Sequence, residues 1–323
     1  MMQRGSLAIL ALLFGLIATC PAQDIDDLRL RLRSSLRDAH VMKSLGNLVV
    51  ASEELELSGA RFSFDDADRT RLSNFSLPLQ RNWRAFGDDA PELYFESSIG
   101  FARAKQRTSD LYAGLAPGLE TEVESDWTTF GALVGAGLRY ELTETCAFTP
   151  IVNLALSHID NDTDYGGPGA NLTRAIADGL AFNWEALLWG VGGAARFDWA
   201  QNFGDDHELR LVARYDLRWI GVLDDDDPAQ DFTSRSQILT LRGDLVGPTG
   251  LDFEGPIQWR ATLGYRRFLE GQLFGANELV QLGGAIEVDV HESLPVGRAL
   301  TFSASAFFGD DVRGFSVGVS LTF

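Results

Sequence analysis

Four histidines, His40, His158, His207 and His291, and a scatter of aspartates are the residues of this chain best suited to chemistry. An Asp–His pair can take a proton from water, and Asp205-Asp206-His207 has the composition for one. Ser157-His158 sets a hydroxyl beside an imidazole, the ingredients of an activated nucleophile. Asp162-Thr-Asp164-Tyr-Gly166 is a fragment of the alternating-oxygen loop that binds calcium, and Asp224 to Asp227 is an unbroken acidic run. No Gly-rich phosphate loop, Cys/His cluster or dinucleotide fingerprint occurs, so neither cofactor nor metal is expected. What the histidines can do depends on the elements that hold them.

Those elements read as strands. In Phe315-Ser-Val-Gly-Val-Ser-Leu-Thr-Phe323, every second residue is apolar and the rest are small or polar. Successive side chains of a strand point to opposite faces, so one face here meets lipid and the other a wet lumen. Gly318, Leu321 and the terminal Phe323 resemble the C-terminal signal of bacterial outer-membrane barrels. That resemblance implies insertion in the outer membrane, with the barrel-assembly machinery reading the last strand.

From about residue 52 the pattern repeats. Strands are expected at 54–64, 71–83, 92–105, 127–142, 148–158, 186–199, 208–222, 236–246, 257–269, 279–290, 300–308 and 315–323. The fold class is therefore all-β, a transmembrane antiparallel barrel of twelve strands, an even number that returns both ends to the periplasm. Counting back from a periplasmic C-terminus makes 65–70, 106–126, 159–185, 223–235, 270–278 and 309–314 external, and the three longest links fall in that set. Trp127, Trp184, Trp199 and Trp219 lie near strand ends, where aromatic belts mark the interfaces.

Alternation also sorts the charges. Leu209, Leu211, Ala213, Tyr215, Leu217 and Trp219 face lipid, so Arg210, Arg214 and Asp216 face the lumen. On the same argument Arg196, Arg242, Arg260, Arg266, Asp244, Glu287 and Asp289 face inward. With both signs interleaved, the expected use is a salt-bridged filling rather than an anion path. The histidines lose their catalytic candidacy on topology. His207 falls in a periplasmic turn, His291 fails on the same ground, and Ser157 and His158 point to opposite faces. No catalysis is expected.

Residues 1–22 read as a secretory signal: Arg4, an apolar run from Leu7 to Ile17, and Pro21-Ala22 at the cleavage end. Ile17-Ala-Thr-Cys20 offers a competing lipoprotein reading. Cleavage after Ala22 leaves Cys146 as the sole cysteine. No later stretch is long and apolar enough for a membrane helix. The formal charge is −19, which opposes nucleic-acid binding.

Residues 23–46 form a separate segment, with a helix over 24–45. Asp24 can cap it; Leu28, Leu32 and Leu36 line one face and Arg29, Arg33 and Arg37 another. It can plug the lumen or cap its periplasmic end. The barrel then occupies 47–323. A helix, twelve strands and a C-terminal Phe are similar to the translocator domain of autotransporters. The run Phe75-Ser-Leu-Pro-Leu-Gln-Arg-Asn-Trp83 resembles the opening of solitary autotransporter-type barrels. The resemblance implies a barrel without a passenger and without a defined activity. The chief alternative is a small-solute channel; a surface binding protein built on loops 106–126 and 159–185 is a third.

Overall fold

The computed structural model describes residues 25–38, 58–64, 70–84, 90–111, 118–204, 206–225, 233–252, 256–270, 276–289, 299–310 and 312–322. Twelve strands close into one antiparallel barrel. In chain order they are β1 (Ser58–Phe64), β2 (Arg71–Trp83), β3 (Glu92–Leu111), β4 (Thr121–Glu141), β5 (Cys146–Gly166), β6 (Trp184–Phe203), β7 (His207–Asp225), β8 (Thr233–Asp252), β9 (Pro256–Glu270), β10 (Glu278–Asp289), β11 (Ala299–Gly309) and β12 (Val312–Thr322). Each pairs with its sequence neighbours, and β1 closes the ring on β12 with Gly59 opposite Val317 and Phe64 opposite Val312. Closure leaves no row of unpaired backbone groups, the condition for a sheet in hydrocarbon.

Among the described residues two helices accompany the wall: α1 (Ile25–Asp38), and α2 (Ala170–Ala177) in the β5–β6 link. No described helix is long and apolar enough to cross a membrane. The expected helix runs to 45; residues 39–46 lie outside the described residues, as do the signal segment 1–22, Cys20, His40, His291 and Phe323. The mouth toward which β12 ends is here the terminal mouth, and its opposite the far mouth, which carries the β5–β6 link and α2.

The outer wall is apolar by alternation. Phe75, Val134, Val152 and Leu263 are all more than half exposed, a surface that would be costly in water and is at home in lipid. The strand predicted at 71–83 has those bounds in the structure, but β3 to β6 run past the predicted ends. The links expected at 106–126 and 159–185 therefore shrink to 112–120 and to a helix-bearing segment, 167–183. The sequence reading ended these strands where apolar residues ended. Between β3 and β4 the ladder continues on cross-strand charge pairs: Arg107 lies opposite Glu124 and Lys105 opposite Asp126.

The inner wall is layered. Toward the far mouth, Phe62, Leu72, Trp127, Ile159, Trp184, Ile220 and Phe268 form a buried apolar collar. Trp127 and Trp184 meet edge-on, ring centroids 5.5 Å apart. This corrects their expected place in an interfacial belt. Both have the inward parity of their strands, and the Trp184 indole N–H donates to the Ala181 carbonyl at 3.3 Å. Trp219, on the opposite parity of β7, does face outward.

Candidate functional site in the lumen

Toward the terminal mouth the inner wall is charged. Arg214 on β7 donates both terminal nitrogens to Glu96 on β3, at 2.7 and 2.8 Å. Three strands separate β3 from β7 in the ring, so this bidentate pair is a chord across the lumen. The Arg214 side chain is 10% exposed and that of Glu96 0%. Arg214 also donates to Asp216 at 2.8 Å, and the Tyr94 hydroxyl donates to Glu96 at 2.8 Å. A second chord runs from Arg196 on β6 to the Gln80 side-chain oxygen on β2, 3.1 Å, and to the Tyr94 hydroxyl, 3.4 Å.

Arg196, Arg139, Arg210, Arg242 and Arg260 each meet a carboxylate. Arg196 and Arg139 both donate to Asp198, at 2.8 and 3.1 Å. Arg210 donates to Glu208 at 2.8 Å. Arg242 reaches Asp244 at 2.9 Å, and Asp244 also accepts the Thr262 hydroxyl at 2.6 Å. Arg260 pairs with Glu287 across β9 and β10. Arg266 and Asp289 have the inward parity of β9 and β10. In a low-dielectric interior, charge pairs with filled hydrogen-bonding positions are tolerable where lone charges are not.

Glu96, Tyr94, Gln80, Arg139 and Glu92 escaped the sequence reading, although their i, i+2 spacing on β2 to β4 carried the signal. Which cations they would meet was illegible, because chords join strands that are not neighbours.

Small polar groups line the inner wall beside both the collar and the charges: Thr129 lies opposite Ile159 and Thr149 opposite Arg196. Thr129, Thr149 and Asn153 each keep a buried side-chain oxygen that pairs with no described residue. Thr129 is 0% exposed and Asn153 2%.

At the far mouth α1 meets α2. Leu28 and Leu32 pack on Ile176, Ala177, Leu180 and Ala181, and Leu32 is fully buried. Arg29 donates to the carbonyls of Ala175 at 3.0 Å, Ile176 at 3.5 Å and Asp178 at 3.0 Å. Those carbonyls end α2, where the chain leaves acceptors without helical partners and a cation is favoured. The link is anchored to the wall: the Asn183 side chain accepts from the Thr163 backbone at 2.5 Å, and the Tyr165 hydroxyl donates to Asp178 at 3.2 Å. Helix α1 therefore sits at the far mouth, against the β5–β6 link.

The catalytic candidates stay apart. Ser157 is buried and His158 exposed on the outer wall, its Nε2 3.6 Å from a Glu185 oxygen. His207 lies between the rings of Phe203 and Trp259, at 5.9 and 6.1 Å. Asp162 and Asp164, the calcium-loop fragment, belong to β5, where an extended backbone points both outward. Among the described residues no group of His, Cys, Asp and Glu could hold a metal ion.

No curated protein matches the chain. Among solved structures, the transport unit of the autotransporter AIDA-I from Escherichia coli aligns with TM-score 0.50 at 12% identity, over 82% of this chain and 88% of that one. The β domain of the Bordetella autotransporter BrkA (TM-score 0.47, 15% identity, 82% and 96%) and the translocator domain of NalP from Neisseria meningitidis (0.47, 14%, 82% and 86%) are further similar structures. The model of the solitary outer membrane autotransporter beta-barrel domain matches residues 62–240, more than half of the chain. The chain thus belongs to the solitary outer-membrane autotransporter β-barrel family, and its place is the outer membrane.

Proposed function

We propose that this barrel is a closed, non-catalytic wall element of the outer membrane, its lumen crossed by salt bridges and its far mouth stoppered by α1. The observation that carries the reading is the docking of Leu28, Arg29 and Leu32 on α2. Longer links mark the outward end of such barrels, so the far mouth is the outward one. Gly318, Leu321 and Phe323 serve assembly: the barrel-assembly machinery takes the last strand through them. Removing Phe323 should leave the chain in the periplasm, and normal insertion of that truncation would refute the assignment.

The channel reading has one observation in its favour, the buried side-chain oxygens of Thr129, Thr149 and Asn153 on the inner wall, which pair with no described residue. Single-channel recording in planar bilayers separates the two. The full-length protein should be silent, and a deletion of 24–45 should raise the conductance. Steady current from the full-length chain would establish the channel instead.

A further inference from the structure

On the outer wall, strand register assembles two basic rows that no lumenal role uses. In the first, Arg313 on β12 lies opposite Ser63 on β1, Ser63 opposite Arg71 on β2, and Arg71 opposite Lys105 on β3. In the next row toward the middle of the wall, Arg61 lies opposite Phe315 on one side and Ser73 on the other, and Ser73 opposite Arg103. All these basic residues and both serines are exposed, while Phe62, Leu72, Ala104 and Val312 between them point inward. Residues directly opposite have Cβ atoms about 5 Å apart, and adjacent strands lie about 4.8 Å apart. Arg61, Arg71, Arg103 and Arg313 therefore ring two small hydroxyl residues at the reach of a single phosphate. Arg103 and Lys105 share Asp126. Arg61, Arg71 and Arg313 have no acidic partner among the described residues.

The height of the rows is set by their neighbours. The row immediately toward the middle is apolar and aromatic: Val317, Gly59, Phe75, Phe101 and Phe130 in register. On β2, Arg71 and Arg81 bound the outward apolar run Phe75, Leu77, Leu79. Ten steps of about 3.3 Å on a strand tilted about 40° span roughly 25 Å, the height of the apolar band of such barrels. Arg71 thus lies at the headgroup level of the leaflet around the far mouth.

A groove continues the same rows. Leu282, Ala306 and Phe315 are in register with Arg61, and Gly284, Ala304 and Val317 with Gly59. The small residues leave a shallow apolar trough between Leu282 and the Phe315–Val317 edge, next to the guanidinium groups.

We propose that this wall binds one phosphorylated membrane lipid from the leaflet at the far mouth. Its phosphate sits over Ser63 and Ser73 among the four arginines, and an acyl chain lies in the trough over Gly284, Ala304 and Ala306. Guanidinium groups match phosphate oxygens with paired N–H donors, and an apolar trough beside them distinguishes a lipid from free phosphate. The site straddles the β12–β1 seam, where β1 supplies only 7 residues of ladder. The bound lipid braces the closure of the ring, which has six register pairs among the described residues. The proposal requires membrane insertion alone and is independent of whether the lumen conducts.

The test is native mass spectrometry of the refolded full-length protein in detergent. The probes are lipid A carrying two phosphates, its dephosphorylated form, phosphatidylglycerol and inorganic phosphate. One bisphosphorylated lipid A should be retained and the dephosphorylated form should not; phosphatidylglycerol shows whether a phospholipid also serves. Combined Arg61→Gln, Arg71→Gln and Arg313→Gln should weaken retention on the order of a hundredfold, at about 1 kcal/mol per basic residue at a membrane surface. Arg81→Gln, at the other edge of the band, should not weaken it. Should the triple variant fail to refold, Ala304→Leu fills the exposed trough without touching a charge and should lower retention at least tenfold. Unchanged retention in the triple variant, or in Ala304→Leu alone, overturns the proposal. Displacement by millimolar inorganic phosphate overturns the lipid assignment.

Discussion

Replacing Glu96 by alanine tests whether the chord across the lumen holds the barrel together. The substitution removes two hydrogen bonds of 2.7 and 2.8 Å to a guanidinium that is 10% exposed, and strips the Tyr94 hydroxyl of its acceptor. Breaking a buried pair by deleting one partner costs about 3–5 kcal/mol, because the survivor keeps its desolvation penalty. Arg214 retains Asp216 at 2.8 Å, which compensates part of that charge and points to the lower end, about 3 kcal/mol. With a urea slope of about 1–3 kcal/mol per molar, the unfolding midpoint should fall by roughly 1–3 M. The assay is urea unfolding of the refolded barrel in lipid vesicles, followed by tryptophan emission and by the gel shift of the heated against the unheated protein. The exposed pair Arg235–Glu270 supplies the contrast: Glu270→Gln should cost below about 1 kcal/mol. A double-mutant cycle of Glu96→Gln and Arg214→Met should show coupling above about 1.5 kcal/mol. Coupling under about 0.5 kcal/mol would mean that the two groups merely coexist on the wall, and the closed-lumen argument would lose its strut.

Two further outcomes follow from packing. A Cβ added at Gly192 would stand 2.2 Å from the Leu217 carbonyl oxygen, a backbone atom that cannot yield; Gly192→Ala should cost about 1–3 kcal/mol in the same unfolding assay, and an unchanged midpoint would show that β6 and β7 can spread. Single-tryptophan variants in brominated lipid should separate the two faces: Trp219 emission quenched and Trp184 emission unaffected, whereas strong quenching of Trp184 would place the collar on the wrong side of the wall.

The sequence by itself determined the class of fold, the number of strands and, along the clearly alternating stretches, which residues face the lumen. Those properties follow from a period of two that local chemistry writes directly: Leu209 to Trp219 against Arg210, Arg214 and Asp216 needs no partner to be read. It also determined where a strand meets lipid, but not where it ends, because β3 and β4 continue on cross-strand charge pairs such as Lys105–Asp126 that look like loop chemistry in one dimension. Only closure decided the rest. Curving β3 and β7 around one lumen turned Glu96 and Arg214, 118 residues apart, into a single strut. The β5–β6 link folded back as α2 and received Leu28, Arg29 and Leu32, placing α1 at the far mouth. Trp127 and Trp184 became a lumenal collar rather than a belt, since a tryptophan near a strand end carries no mark of its face until the register is known. The basic rows around Ser63 and Ser73 arose the same way, from residues scattered between 61 and 313 that antiparallel pairing sets side by side.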